Sequence, residues 1–412
     1  MRSILININF HRAPQTQSTS EKSVFRKTIF WIHLICGVAA GLVILMMSVT
    51  GVLLTYERQM LAAAERAQYA TPAPDAERLS VAGLLSAARL SAPDFEPSSI
   101  SYAADPGAPA TLAAGRRGSI RLDAYSGELL PDAAPRMAAF FATMTGWHRW
   151  FNAEGDNRQL ARAITGASNL IFLFLILSGV YLWLPRIFRW AAFKARLKFS
   201  AAYPNGKARD FNWHHVIGFW TAIPLAIVVA TATVFSYGWA NNLVYLAAGE
   251  EPPGRGQPGG SGRGGEQTAA GNGAGIARLS LDSLLEKAAR SSDGWRRLTL
   301  TLPHSQADTV SVSLDSGNGG QPQYRQELSL NAYTGEIEAR QSFDSQSAGR
   351  QARSVIRYLH TGEVLGLAGQ TVAGLVSLTS ILMVWTGFAL AYRRLISPLF
   401  KRSGVTGTDQ SS

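Results

Sequence analysis

Four long apolar segments decide what this chain can fold into. They occupy residues 25–56, 161–185, 213–246 and 365–392, and each exceeds the roughly 20 residues that a helix needs to cross the hydrocarbon core of a bilayer. The apolar residues are concentrated in these segments and do not follow the spacing of a soluble core. The sequence therefore predicts a protein with four transmembrane helices embedded in a lipid bilayer.

Basic residues flank these segments unevenly and predict their orientation. They precede the first segment, fill the loop at residues 186–212, and follow the fourth segment in the tail at residues 393–412. Positive charge in short flanking segments marks the cytoplasmic side, so the tails at residues 1–24 and 393–412 are both expected in the cytoplasm. The first segment is also longer than the roughly 7 to 15 apolar residues of a signal peptide, so we expect it to be an uncleaved anchor.

Orientation also explains the charge of the chain. The formal net charge of +11 follows from the cytoplasmic loop and tails, so it does not indicate a nucleic-acid partner. The large segments at residues 57–160 and 247–364 are then expected on the other side. In a bacterium that side would be the periplasm and the membrane the inner membrane.

The two large segments look like copies of one module. Residues 78–89 reappear as residues 278–290, each a short amphipathic helix with leucine at matching positions, and Leu-Asp-Ala-Tyr-Ser-Gly-Glu at 122–128 reappears as Leu-Asn-Ala-Tyr-Thr-Gly-Glu at 330–336. Each copy reads as one helix and a few antiparallel strands, with alternation at residues 298–314 supporting strands in the second. Residues 247–275 are rich in Gly and Pro and predict a flexible linker, which leaves residues 276–364 for the second module. The expected fold class is an internally duplicated α-helical membrane protein with α+β periplasmic modules.

Four of the seven histidines stand at or shortly before the start of an apolar segment: His33, His148, His214 and His360. Consecutive helices cross a bilayer in opposite directions, so His33 and His214 (the first pair) are expected near one surface, and His148 and His360 (the second pair) near the other. A helix rises about 1.5 Å per residue, so histidines at opposite ends cannot share a metal. The arrangement predicts two haems, each with two axial imidazoles.

One ligand position has a competitor. His215 keeps the Trp-x-His spacing found at His33, whereas His214 keeps the His-x-x-x-Gly spacing that places Gly37 or Gly218 one turn beyond the imidazole. Because that glycine would leave room for a flat macrocycle, we favour His214 and keep His215 as the alternative.

The ligand set points to electron transfer. Two axial imidazoles saturate an iron already held by four porphyrin nitrogens, which suits electron transfer better than oxygen binding. Zinc fits less well, because no carboxylate or thiol cluster accompanies these histidines inside the bilayer, and the single cysteine excludes a Cys-ligated iron–sulfur cluster. Arg149, and similarly Arg158 and Arg357, could neutralise haem propionates.

The membrane helices share a small motif late in the segment. A hydroxyl residue is followed by glycine in Ser-Val-Thr-Gly at 48–51, Ser-Gly at 178–179 and Thr-Gly at 386–387, while the third helix has Thr231 followed by Ala232. Small residues permit close helix contact, which is the role we predict for them. Pro224 in the third helix is expected to kink it.

Taken together, these motifs make the chain resemble the PepSY-associated transmembrane proteins, often described as iron-regulated membrane proteins. Within that group it resembles the bacterial inner-membrane ferric-siderophore reductases. The resemblance covers nearly all of residues 25–395 and is carried by the segments 33–37, 123–128, 148–150, 210–218, 331–336 and 360–362. It implies a four-helix core with two b-type haems, periplasmic PepSY modules, and reduction of a ferric siderophore. The Gly-rich insertion and Ala232 depart from the family pattern, and neither touches a proposed ligand.

The expected function is that of a ferric-chelate reductase. The electron donor would be a quinol or a separate reductase, because no nucleotide fingerprint follows a strand in this chain. Two rival functions remain: a non-enzymatic PepSY membrane protein that restrains proteases or assists envelope assembly, and an accessory for transport of iron or the intact siderophore. The first predicts no cofactor, and the second predicts transport without redox activity.

Overall fold

A computed structural model describes residues 17–67, 69, 71–73, 75–185, 189–254, 277–303 and 307–403. Most of the predicted linker at residues 247–275 and most of the predicted N-terminal tail lie outside the described residues, as do residues 404–412 of the C-terminal tail. In chain order the helices are α1 (Gln17–Leu54), α2 (Glu57–Arg66), α3 (Val81–Ser91), α4 (Pro135–Trp150), α5 (Asn157–Trp183), α6 (Trp190–Arg196), α7 (Gly206–Ser236), α8 (Gly238–Ala247), α9 (Leu281–Arg290), α10 (Ala348–Thr361), α11 (Gly366–Leu395) and α12 (Ser397–Ser403).

Four helical stretches in the described part of the chain are long and apolar enough to cross a membrane: Val24–Arg66, Asn157–Trp183, Gly206–Ser236 and Glu363–Phe400. They are built on α1, α5, α7 and α11 and coincide with the four predicted segments. The prediction of a multi-pass membrane protein with four transmembrane helices is therefore supported by length and composition.

Some helix boundaries differ from the expected ones. The third membrane helix was expected to run to residue 246 but ends at Ser236, because Tyr237 has an extended backbone and Gly238, a poor helix former, begins the separate helix α8. At its other end α7 already begins at Gly206, inside the predicted loop, and α1 begins at Gln17, inside the predicted tail. Pro224 lies within the continuous helix α7.

The strands form one antiparallel sheet. They are β1 (Ser99–Ala103), β2 (Ala110–Ala113), β3 (Ser119–Leu122), β4 (Leu129–Leu130), β5 (Arg297–Thr301), β6 (Thr309–Asp315), β7 (Arg325–Asn331) and β8 (Ile337–Ser342). Their order is β4-β3-β2-β1-β5-β6-β7-β8. Strands β1 and β5 join the two predicted modules, with Ile100 opposite Leu300. The modules therefore share a single sheet.

The sheet and two helices enclose one apolar core. Buried residues on alternate strand positions pack with Leu84 and Ala88 of α3 and with Leu284 and Ala288 of α9. Each helix begins at a serine, Ser80 or Ser280, whose hydroxyl accepts a backbone N–H of the first turn, which is the usual role of an N-cap serine.

The repeated Ala-Tyr-Ser/Thr-Gly motif is a turn. Asp123 Oδ1 accepts the N–H groups of residues 125 and 126 at 2.9 and 2.8 Å, and Asn331 Oδ1 accepts those of residues 333 and 334 at 2.9 and 3.0 Å. Gly127 and Gly335 follow with φ of 75° and 72°, a conformation that favours glycine. The motif thus ends a strand, and its polar side chains are occupied by local hydrogen bonds.

The chain divides into two compact units. Unit 1 contains the described parts of Met1–Leu45, Ala167–Ala226 and Thr379–Ser412, and unit 2 contains those of Met46–Gly166 and Ile227–Leu378. The sheet belongs to unit 2, and each unit holds one of the predicted histidine pairs.

Candidate metal centres

The first histidine pair lies in unit 1, on two membrane helices. His33 is on α1 and His214 is on α7. His33 Nδ1 lies 2.8 Å from Ser178 Oγ of α5, and His214 Nδ1 lies 2.9 Å from Thr386 Oγ1 of α11. Each imidazole is therefore held by a hydroxyl from a neighbouring membrane helix.

The second histidine pair lies in unit 2, near the ends of two helices that precede membrane spans. His148 is on α4 and His360 is on α10. Their ring centres are 6.3 Å apart, with 59° between the ring planes. The structure thus brings together two histidines that are far apart in sequence.

The Nδ1 atoms of the second pair are held in a similar way. His148 Nδ1 lies 3.0 Å from Thr50 Oγ1 of α1. His360 Nδ1 lies 2.9 Å from the carbonyl oxygen of Val228 and 3.3 Å from Thr231 Oγ1, both on α7. The position of His360 is therefore set chiefly by a backbone carbonyl, and those of the other three histidines by hydroxyl groups.

These contacts determine the tautomer of each imidazole. The hydroxyls of Ser178, Thr386 and Thr50 lie 2.7 to 2.8 Å from a carbonyl oxygen four residues earlier in their own helix, so each donates its only proton there. The hydroxyl oxygen can then only accept from histidine, and a carbonyl oxygen can only accept as well. This arrangement favours the tautomer with the proton on Nδ1 in all four histidines, which places the lone pair on Nε2, the atom that would bind a metal.

The ends of helices α4 and α10 also constrain the positions of His148 and His360. Helix α4 is capped by Phe151 in the left-handed conformation, and Gly362 ends α10 with φ of 77°. A Cβ on Gly362 would lie 2.2 Å from the carbonyl oxygen of Gly369, so only glycine permits this close turn after His360. At its start, α10 donates the Gly349 N–H to Glu250 at 2.9 Å.

Glycine follows three of the four hydroxyl residues and lies beside an imidazole. A Cβ on Gly179 would lie 3.5 Å from His33 Cε1, one on Gly387 would lie 3.5 Å from His214 Cε1, and one on Gly51 would lie 3.6 Å from His148 Cε1. The hydroxyl–glycine motif therefore contacts histidine through both of its residues. The repeat is visible in the sequence, where it predicts close helix contact. Its role as a histidine partner depends on the rotation of each helix, which the sequence does not show.

The other predicted residues have different surroundings. His215 Nδ1 lies 2.8 Å from the carbonyl oxygen of Phe211 in its own helix, and its ring lies 3.9 Å from the Phe211 ring. Unlike His214, it is held by its own helix alone. Gly37 and Gly218 do lie one turn beyond the histidines, where an added Cβ would meet Leu175 Cδ2 at 3.9 Å and Met383 Cε at 2.9 Å, respectively.

Electrostatics favours neutral imidazoles in the second pair. Burial, and to a lesser extent the neighbouring His360, lower the pKa of His148 to about 4. Burial also lowers the pKa of His360. Both rings are therefore neutral at pH 7, the form that binds a metal. Arg149, the predicted propionate partner, directly follows His148, and its backbone carbonyl accepts the Thr165 hydroxyl at 2.8 Å.

The family described as PepSY-associated TM region matches residues 30–394. The chain belongs to this family. The match covers both histidine pairs, the sheet, the second and third candidate membrane spans, and most of the first and fourth spans of this PepSY-associated protein. No curated protein matches the sequence.

The donor set of this PepSY-associated protein fits a haem. Two imidazoles on opposite sides of one metal, with metal–nitrogen bonds of about 2 Å and each nitrogen roughly 1.1 Å from its ring centre, have ring centres roughly 6 Å apart, and the second pair is at 6.3 Å. Among the described residues no group of three or more His, Cys, Asp or Glu side chains could hold a metal ion. A haem needs only two protein ligands, because the porphyrin supplies four nitrogens.

Proposed function

We propose that this protein is a di-haem membrane electron-transfer protein that reduces a ferric chelate, such as a ferric siderophore. His33 and His214 would hold one b-type haem, and His148 and His360 the other. The observation that carries the proposal is that Nδ1 of each of the four histidines lies 2.8 to 3.0 Å from a hydroxyl or carbonyl oxygen, which would leave Nε2 as the ligand atom of each. Histidines that bind metals almost always donate their other ring N–H in this way.

The chain would contribute orientation and a dry environment. Ser178, Thr386 and Thr50 hold three imidazoles at fixed rotation, and the Val228 carbonyl holds the fourth. When bound, the haems supply iron that gains and loses one electron at a time. Two imidazole ligands per iron leave no position for oxygen, so electron transfer is the chemistry this ligand set favours.

The substrate is proposed from the chemistry of iron. Oxygen ligands of a chelate hold the hard ferric ion far better than the ferrous ion, so one electron converts a tight complex into a weak one. The electron would come from a quinol or a separate reductase. We propose that the termini are cytoplasmic, that the sheet lies in the periplasm of a bacterium beyond the inner membrane, and that the chain arose by internal duplication, as the repeated helix, strands and turn suggest.

Single-turnover kinetics tests this function. Purified protein, reduced chemically and mixed with a ferric chelate, should be reoxidised at a rate that rises with chelate concentration, while a ferrous-specific dye reports the product. His148→Ala should abolish fast reoxidation, because it removes a ligand of the haem proposed to face the chelate, whereas the control His215→Ala should retain it. A protein that carries no reducible cofactor, or that moves the intact chelate into proteoliposomes without reducing it, would contradict the proposal in favour of a non-enzymatic or transport role.

A further inference from the structure

Exposed arginines gather beside the second histidine pair. Arg149 follows His148 directly on α4, Arg357 precedes His360 by one turn of α10, and Arg158 and Arg162 lie in the first two turns of α5. We call Arg149, Arg158, Arg162 and Arg357 the arginine group. All four side chains are exposed.

Two members of the group share one aromatic ring. The Arg149 Cζ lies 4.9 Å from the centre of the Trp150 ring, and the Arg158 Cζ lies 4.0 Å from it. Cation–π contacts of this kind fix the guanidinium position without using its N–H donors. Both guanidinium groups thus keep their donors for a ligand while their positions are defined.

The four arginines form no ion pair with a carboxylate in the described part of the chain, although Glu154 and Asp156 lie in the connection between α4 and α5. Arg162, Arg158 and Arg357 lie close enough to Arg149 for their charges to act on it. Clustered like charges of this kind repel one another and attract an anion to the site.

We propose that the arginine group binds the carboxylate groups of an anionic ferric chelate beside the second histidine pair. The planar donor fork of arginine matches a carboxylate with two parallel hydrogen bonds. Haem propionates offer the same chemistry, and the experiment below distinguishes the two ligands. That the ligand is a ferric chelate rests on the proposed function, since a ferric-chelate reductase must hold its substrate near the electron donor. The binding of a carboxylate-rich anion by these arginines does not rest on that function.

Calorimetric titration with gallium(III) citrate tests the assignment. Gallium(III) has the charge of the ferric ion but is not reduced under these conditions, so binding is measured independently of electron transfer. The protein is placed in nanodiscs of zwitterionic lipid, which removes competition from anionic headgroups. The double variant Arg158→Gln/Arg357→Gln should bind the complex roughly 10-fold more weakly, as expected for loss of charge-assisted hydrogen bonds.

Matched variants distinguish binding at the arginine group from a non-specific effect of losing positive charge. Arg136→Gln removes the same charge from the exposed start of α4 and should bind the complex as the wild type does. Arg158→Lys keeps the charge but not the fork and should give an intermediate affinity. Unchanged melting temperatures would show that the variants are folded.

Two results would overturn the proposal. One is equal binding of gallium(III) citrate by the wild type and the double variant. The other is loss of bound haem from the double variant with unchanged citrate binding, which would assign the arginines to haem propionates. Arginine-dependent binding in a protein without haem would refute the proposed function and leave the anion site standing, so the two failures are distinguishable.

Discussion

Removing one hydroxyl group should loosen one haem and leave the other in place. Thr386 is almost fully buried, with 1% of its surface exposed, and its Oγ1 accepts the His214 Nδ1 proton over 2.9 Å. Thr386→Val keeps the side-chain shape but removes this hydroxyl acceptor and leaves the Met383 carbonyl oxygen as the remaining partner of that N–H, at a cost of about 1 to 1.5 kcal/mol for the lost hydrogen bond. Loss of a partner behind a metal-bound histidine lowers metal affinity by roughly 10- to 100-fold, which is about 1.4 to 2.7 kcal/mol. The free-energy cost of the lost hydrogen bond and the free energy of the expected affinity loss are therefore of similar size.

Thr221→Val provides the matched control. Thr221 lies on α7, as His214 does, and its hydroxyl donates to the Ile217 carbonyl oxygen at 2.8 Å, so this variant loses the same kind of bond within a helix. Haem titration of both purified apoproteins, followed by visible absorption, measures the affinity of each site. We expect one weakened site in Thr386→Val, none in Thr221→Val, and recovery in Thr386→Ser. Equal affinities in Thr386→Val and Thr221→Val would refute the role of the hydroxyl.

Two further predictions concern the helix that carries His360. Gly362→Ala should unfold the end of α10 and release the haem of the second pair, because its Cβ would overlap the carbonyl oxygen of Gly369. Gly366→Ala is strained by its positive φ but has no atom closer than 3.9 Å to the added Cβ, so it should cost about 1 to 3 kcal/mol and retain that haem, as judged by melting curves and absorption. Hydrogen bonds from Gly349 and then Ser347 lower the pKa of Glu250, so its stabilising effect is present above the unfolded pKa and is lost as pH falls through the lower folded value. Glu250→Gln should therefore melt earlier than the wild type at pH 7 and approach it in acid, and parallel melting curves at all pH values would contradict this.

The membrane helices and the histidine positions could be predicted from the sequence. The thickness of the bilayer sets the length of an apolar segment at roughly 20 residues, so such a segment can be recognised without knowledge of tertiary contacts. A histidine at the start of the segment is then visible directly in the sequence. Because alternate helices begin at the same membrane surface, the sequence predicts that His148 and His360 lie near each other. Their ring centres lie 6.3 Å apart.

What could not be predicted depends on contacts between distant segments. The sequence shows that Ser178 and Thr386 precede glycines, but not which way each helix is rotated, so their hydrogen bonds to His33 and His214 were missed. Similarly, the sequence predicts strands within each repeated module. It does not show that β1 of the first module pairs with β5 of the second, which is the contact that joins the two modules in one sheet.

The end of the third membrane helix was missed for a local reason. Apolar residues continue from Tyr237 to Leu246, so hydropathy alone extended the segment. The helix nevertheless stops at Ser236 because Tyr237 adopts an extended backbone conformation before Gly238. A glycine within an apolar run is a weak signal, since many membrane helices contain one.

The reduced-minus-oxidised visible spectrum of the purified protein, with its haem content per chain, tests the central claim most directly. We expect the sharp bands of low-spin b-type haem at two haems per chain, falling to one in His33→Ala and, separately, to one in His148→Ala. Protein expressed with an ample haem supply that shows no such bands would contradict the account.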